Sequence, residues 1–151
     1  MKRLTYIVWS IAAGSASLVM ADAPPGRYEA TQESVLDVTT KLMWQRRPPT
    51  ETMGYEQATA YCETLELAGF SDWRLPRPTE LTSIVDVRKH DPALDTNVFD
   101  TPKQLTYWSS VRVTSPQGSD VGYYVNFSWG ELYYGGLQEG WSVRCVRVAG
   151  A

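Results

Sequence analysis

Trp129, Tyr133, Tyr134 and Trp141 fall within one short stretch near the end of the chain. A sugar stacks its C–H face on the flat apolar face of such rings, while polar neighbours take its hydroxyls. These four are therefore candidate ligand-binding residues. Tyr123 and Tyr124 are adjacent just before them, and in a regular strand one of the two must face outward. The competing reading for these rings is core packing and cross-strand pairing, which covers some of them.

Catalysis has less to stand on. His90 is the only histidine and lies beside Asp91 in a polar segment. A Ser–His–Asp site using Ser109 or Ser110 would need a nucleophile elbow or an oxyanion loop, and the sequence offers neither. We expect a protein that is not an enzyme. Asp91, Asp95 and Asp100 share one loop and carry the oxygen ligands that calcium takes. Calcium needs about six to eight oxygens, and this spacing fits no known loop motif. A solvated loop is expected there, with no metal and no cofactor. Asp72 and Arg74 flank Trp73 in an extended segment. They read better as an ion pair or backbone tie at the helix–sheet junction than as a charged site.

The cysteines are Cys62 and Cys145. The chain opens with Lys2 and Arg3, an apolar run from Leu4 to Val19, and small residues at Ala21 and Ala23. That order predicts a signal peptide over residues 1–21, cleaved after Ala21, because a cut after Ala23 would leave Pro24 at the scissile bond. An uncleaved membrane anchor fits less well, since the run is short and holds Gly14, Ser15 and Ser17. No later segment is apolar for long enough to span a bilayer. The expected location is periplasmic or extracellular. There an even pair of cysteines is expected to bond, closing a long loop. The alternative, a catalytic or metal-binding thiol pair, lacks a Cys-x-x-Cys spacing or a nearby histidine.

Residues 22–151 would form a single domain, long enough to bury a core. Without Lys2 and Arg3 it holds 12 basic and 17 acidic residues, a net charge of −5. Nucleic acid is not expected as a partner, because few phosphates could be neutralised. A generally polyanionic glycan is disfavoured on the same ground. Arg46-Arg47 and Arg88-Lys89 are the adjacent basic pairs that remain.

The elements that must position these residues follow from pattern. Tyr28 to Ala30 reads as a strand, and Val35-Leu36 with Leu42 to Gln45 as a hairpin. Arg46 to Thr52 holds two prolines and is a loop. Gly54 to Ala68 reads as a helix with Ala58, Tyr61, Cys62 and Leu65 on one face and Gly69 at its C-cap. Pro78 starts a second helix that runs to about Val87, with Leu81, Ile84 and Val85 facing inward. Lys89 to Gln104 is irregular. Strands follow at Thr106–Val113, Val121–Phe127 and Leu132–Tyr134, with a glycine loop at Gly135, Gly136 and Gly140. Trp141 to Val148 reads as a last strand with Trp141, Val143 and Cys145 on one face. The fold class is α+β, with two helices packed on an antiparallel sheet and one long-range disulfide. A bond from the first helix to the last strand is also the arrangement of the long disulfide in C-type-lectin-like domains.

Several motifs carry a resemblance. Leu42-Met43-Trp44-Gln45-Arg46, Ala60-Tyr61-Cys62, Gly69-Phe70-Ser71-Asp72-Trp73-Arg74-Leu75-Pro76, Glu80-Leu81, Tyr107-Trp108-Ser109-Ser110 and Val143-Arg144-Cys145-Val146-Arg147 occur in this order. Together they resemble the Lcl C-terminal domain family, named after a bacterial collagen-like adhesin, from about Tyr28 to Arg147. The resemblance implies a C-type-lectin-like fold, bacterial export and, in some members, glycan or surface adhesion. It also implies core roles for Trp44, Trp73 and Trp108. Lys41 stands where the family usually has glycine before Leu-Met-Trp. Arg77 stands where it usually has threonine, which removes the hydroxyl of a capping box with Glu80. The adhesin's polyanion binding rests on positive surface, and this chain is acidic.

The Glu-Pro-Asn, Gln-Pro-Asp and Trp-Asn-Asp motifs of calcium-dependent C-type lectins are not present. The expectation is an exported module that binds a glycan or an envelope protein, without a stable membrane anchor. A second reading is an interaction subunit of an envelope or secretion assembly. A third is a divergent formylglycine-generating-type enzyme, suggested by Arg74-Leu75-Pro76 with Glu80. It would need redox-active cysteines.

Overall fold

The computed structural model describes residues 26–150, so the signal peptide expected over 1–21 lies outside the described residues. Strands β1 (Tyr28–Ala30), β2 (Ser34–Asp37) and β3 (Leu42–Gln45) come first, followed by helices α1 (Tyr55–Glu63) and α2 (Pro78–Ser83). Then come β4 (Thr106–Thr114), β5 (Asp120–Asn126), β6 (Glu131–Gly136) and β7 (Val146–Val148). The class is α+β as expected, but the strands form two antiparallel sheets rather than one, in the orders β1-β2-β3-β7 and β4-β5-β6.

The β2–β3 hairpin forms where alternation places it, with Val35 opposite Trp44. Its turn needs a left-handed residue, and Lys41 supplies it at φ 59°. A side chain there costs roughly 1 kcal/mol that glycine would not. Asp37 closes the turn by accepting from the Thr39 and Thr40 N–H groups at 3.0 and 3.2 Å. The Arg27 guanidinium donates to the same carboxylate at 2.7 Å and to the Ser83 carbonyl at 2.7 Å, tying the first sheet to α2. Burial opposes ionisation of Asp37, but the bonds from Arg27, Thr40 and Thr39 outweigh it and hold its pKa below the ordinary 3.8. A depressed folded pKa gives stability that is present above the unfolded value and lost as pH falls through the folded one. The protein should therefore lose stability below about pH 4. Asp37→Asn should be less stable at neutral pH and show a flatter acid limb in thermal melts. An unchanged acid limb would remove Asp37 from the account.

The second sheet has a core on each face. Tyr107 and Val125 point into a cluster with Val35, Trp44, Leu81, Ile84, Phe99 and Phe127. Trp108 points the other way, into a cluster with Tyr55, Ala58, Cys62, Trp73, Val143 and Cys145. The Cys62–Cys145 disulfide, with Cα atoms 5.5 Å apart, crosses this second core.

Both helices are shorter than expected. α1 stops at Glu63, where Thr64 turns its hydroxyl back onto the Ala60 carbonyl at 2.8 Å. Ala68 and Gly69 are both left-handed, and Leu67 and Phe70 exchange backbone bonds of 3.0 Å. Gly69 thus serves this tight turn and not a helix C-cap. α2 ends at Ser83. At its start, Arg77 cannot cap with an acceptor, but the Glu80 carboxylate still takes the Arg77 N–H at 2.7 Å.

The expected final strand from Trp141 is also corrected, since only Val146–Val148 pairs as one. Trp141 to Cys145 instead threads between the sheets. Met53 and Trp141 exchange backbone bonds of 2.9 and 3.1 Å, Ser142 bonds Thr106 and Trp108, and the Cys145 carbonyl accepts from Gln45 at 2.9 Å. Val143, Arg144 and Cys145 are all buried, so no exposed face alternates.

Candidate functional site

Antiparallel register decides which rings share a surface. Tyr124 lies opposite Tyr133, and Tyr123 opposite Tyr134, on β5 and β6. Directly opposed residues point to the same face, and neighbours along a strand point to opposite faces. The rings therefore separate into two sets. Tyr133 and Tyr124 have centroids 6.0 Å apart, and Trp141 lies 5.3 Å from Tyr124 and 6.4 Å from Trp108. This row, Tyr133–Tyr124–Trp141, runs from open surface into the Trp108 core. Tyr133 is exposed, while Tyr124 and Trp141 are half-buried. Tyr134 packs at 6.0 Å on Tyr123 on the other face.

Trp129 belongs to neither set. It sits at the β5–β6 turn, 64% exposed, with its ring 5.8 Å from that of His90. The loop carrying His90 is held to this turn by Asp91 N–H donating to the Ser128 carbonyl at 2.9 Å and Ala93 N–H donating to Phe127. The four expected ligand residues thus do not form one platform. Trp141 is chiefly a packing residue whose edge completes the row.

Two carboxylates frame the row, and the sequence reading did not single them out. The Tyr133 hydroxyl donates to Glu131, which together with slight burial and the charge of Glu131 raises the phenol pKa. Glu139 accepts from the Gly136 N–H at 3.0 Å. Its carboxylate lies so close over Gly135 that an added Cβ would meet an oxygen at 2.6 Å. Burial raises the Tyr124 pKa, and the charge of Glu139 adds to the shift. Gly135 and Gly136 are strand residues here, not the loop expected, and Gly135 leaves room for this carboxylate. An exposed ring beside a half-buried ring and two acceptor carboxylates can stack a sugar and take its hydroxyl protons.

The aspartates of the long loop do not converge. Asp91 is exposed, and Asp95 is buried, 3.7 Å from the Lys89 ammonium. Asp100 accepts from Arg47 at 2.8 Å. Among the described residues no group of three His, Cys, Asp or Glu side chains is placed to hold a metal. Asp72 and Arg74 are structural ties, each with its own partner. Asp72 takes the buried Arg147 guanidinium at 2.6 Å, which holds its pKa below the ordinary value. Arg74 forks onto both oxygens of Glu80 at 2.8 Å. Ser109 is buried and donates to the Tyr123 carbonyl at 2.8 Å.

Compared with models of known families, residues 33–147 match the Lcl C-terminal domain, about three quarters of the chain. No curated protein matches the chain.

Proposed function

Since the chain belongs to the Lcl C-terminal domain family, we propose that it is an exported, non-catalytic module that binds a glycan at the bacterial cell envelope. The observation that carries this reading is the Tyr133–Tyr124–Trp141 row framed by Glu131 and Glu139. The ligand is an uncharged or basic glycan, because carboxylates and a net charge of −5 repel a polyanion. A C-type-lectin-like fold is part of the proposal. It is supported by the disulfide that joins α1 to the segment before β7 across a sequence separation of 83. A formylglycine-generating-type activity is disfavoured, because both cysteines are engaged in that bridge. Export rests on the sequence of residues 1–21.

Binding in this site uses ring faces and carboxylate acceptors, and no ion. Affinity for a glycan found on a mixed panel should therefore be the same with and without EDTA. Loss of binding on chelation, restored by added calcium, would replace the aromatic account with a metal-dependent one.

A further inference from the structure

The outer edge of β6 has no strand partner among the described residues. Its sole strand neighbour among the described residues is β5. Along an antiparallel strand the backbone groups alternate between partner and outside. The Gly136 N–H reaches outward to Glu139, which sets the phase. The N–H and C=O groups of Leu132 and Tyr134 then also face outward. No hydrogen bond within the described residues outside the ladder uses them. Leu132, Tyr133 and Tyr134 are 44%, 44% and 62% exposed.

Proteins normally blunt such an edge with proline, lysine, a bulge or a covering loop. β6 carries no proline, no lysine and no register irregularity. What it carries is acid: Glu131 at one end and the Glu139 carboxylate over Gly135 near the other, on the same face. Positions 131 and 135 lie about 14 Å apart along the strand. A second copy of this chain would set its own Glu131 and Glu139 against these groups.

We propose that the β6 edge is a docking site for an extended protein segment that carries basic residues four positions apart with apolar residues between them. The segment adds a fourth strand to the β4-β5-β6 sheet. Its backbone pairs with Leu132 and Tyr134, which gives the affinity. One basic side chain faces Glu131 and the other faces Glu139. The apolar side chains next to each basic residue, on the alternate face of the segment, pack on Leu132 and Tyr134, which lie on the face opposite the proposed glycan row. The segment takes the same Glu131 and Glu139 carboxylates that frame the proposed glycan row, so peptide and glycan compete for them.

The probe is a synthetic peptide, Gly-Ser-Lys-Val-Thr-Val-Lys-Ser-Gly, titrated into isotope-labelled protein and followed by amide NMR and hydrogen exchange. The expected result is slowed exchange at the Leu132 and Tyr134 amides and affinity that falls as salt rises. Tyr134→Pro removes an outward N–H without touching the β5 ladder and should weaken binding at least about tenfold. The double variant Glu131→Lys, Glu139→Lys should do the same while its spectrum stays native. It should also reverse preference toward the peptide with glutamates in place of lysines. An absence of binding, protection elsewhere, or binding indifferent to both variants would overturn the proposal. So would a concentration-dependent dimer that protects the same amides without peptide, which would make a second copy the occupant.

Discussion

Replacing both Cys62 and Cys145 with alanine is expected to lower the unfolding free energy by about 4–5 kcal/mol, the entropy of a loop of this length. The bond spans a sequence separation of 83 and joins α1 to the thread that runs between the two sheets. Without it the unfolded chain gains freedom over more than half of the domain, while the native core loses its central crossing. A domain of this size has about 5–15 kcal/mol in total, so the variant should be marginal at body temperature. Denaturant unfolding reads this directly. The midpoint should fall and the slope should rise, because the uncrosslinked denatured state is less compact and exposes more surface, and reduction of the parent protein should do the same. A double variant that unfolds at the parent midpoint would show that the core alone holds α1 to the thread.

Arg144→Ala is expected to cost about 3–5 kcal/mol, close to the disulfide, from stranded carbonyls and a cavity, although among the described residues no carboxylate pairs with it. Arg144 is 1% exposed. Its guanidinium donates to the carbonyls of Gln45 at 2.7 Å, Arg46 at 2.8 Å and Asp100 at 2.6 Å. The same group lies 5.1 Å from the Phe99 ring centroid and 5.4 Å from that of Tyr107. One planar fork thus satisfies the backbone at the end of β3 and the end of the long loop at once. Truncation strands those carbonyls and leaves a void between two rings. Arg144→Lys keeps the charge but cannot span three acceptors with one ammonium, so it should recover only part of the loss. A thermal melt of both variants decides the point. An alanine variant within about 1 kcal/mol of the parent would mean that water replaces the guanidinium.

These two predictions mark what was legible in the sequence. The cysteine pairing follows from the export that residues 1–21 lead one to expect and from an even count. The β2–β3 hairpin followed from alternation around a polar turn, and α2 began where Pro78 fits a first turn. Arg144 shows why the last strand was misread. An arginine between Val143 and Cys145 looks like the outward member of an alternating strand. It is instead buried, because its partners are carbonyls of Gln45, Arg46 and Asp100, far away in the chain. Backbone acceptors leave no trace in composition. The pattern carries α1 too far because Leu65 keeps helical spacing past the point where Thr64 ends the helix.

The site was legible in residue type but not in arrangement. Aromatic rings near the last hairpin were visible as such. Which of them share a face depends on the β5–β6 register, which opposes Tyr124 to Tyr133 and so parts Tyr133 from Tyr134. Glu131 and Glu139 carry a weak signal, since each lies a few residues from a tyrosine or glycine of β6. Their role shows only once Gly135 is seen to leave space for a carboxylate.

The central claim is that glycan recognition belongs to one face of the β4-β5-β6 sheet. The most direct measurement is a glycan array probed with the purified protein beside its Tyr133→Ala and Tyr134→Ala variants, all confirmed as folded and disulfide-bonded. The account predicts a specific hit for the parent, at least about tenfold weaker binding for Tyr133→Ala, and parent-like binding for Tyr134→Ala. A blank array for the folded parent, or a hit lost in Tyr134→Ala and kept in Tyr133→Ala, would contradict it.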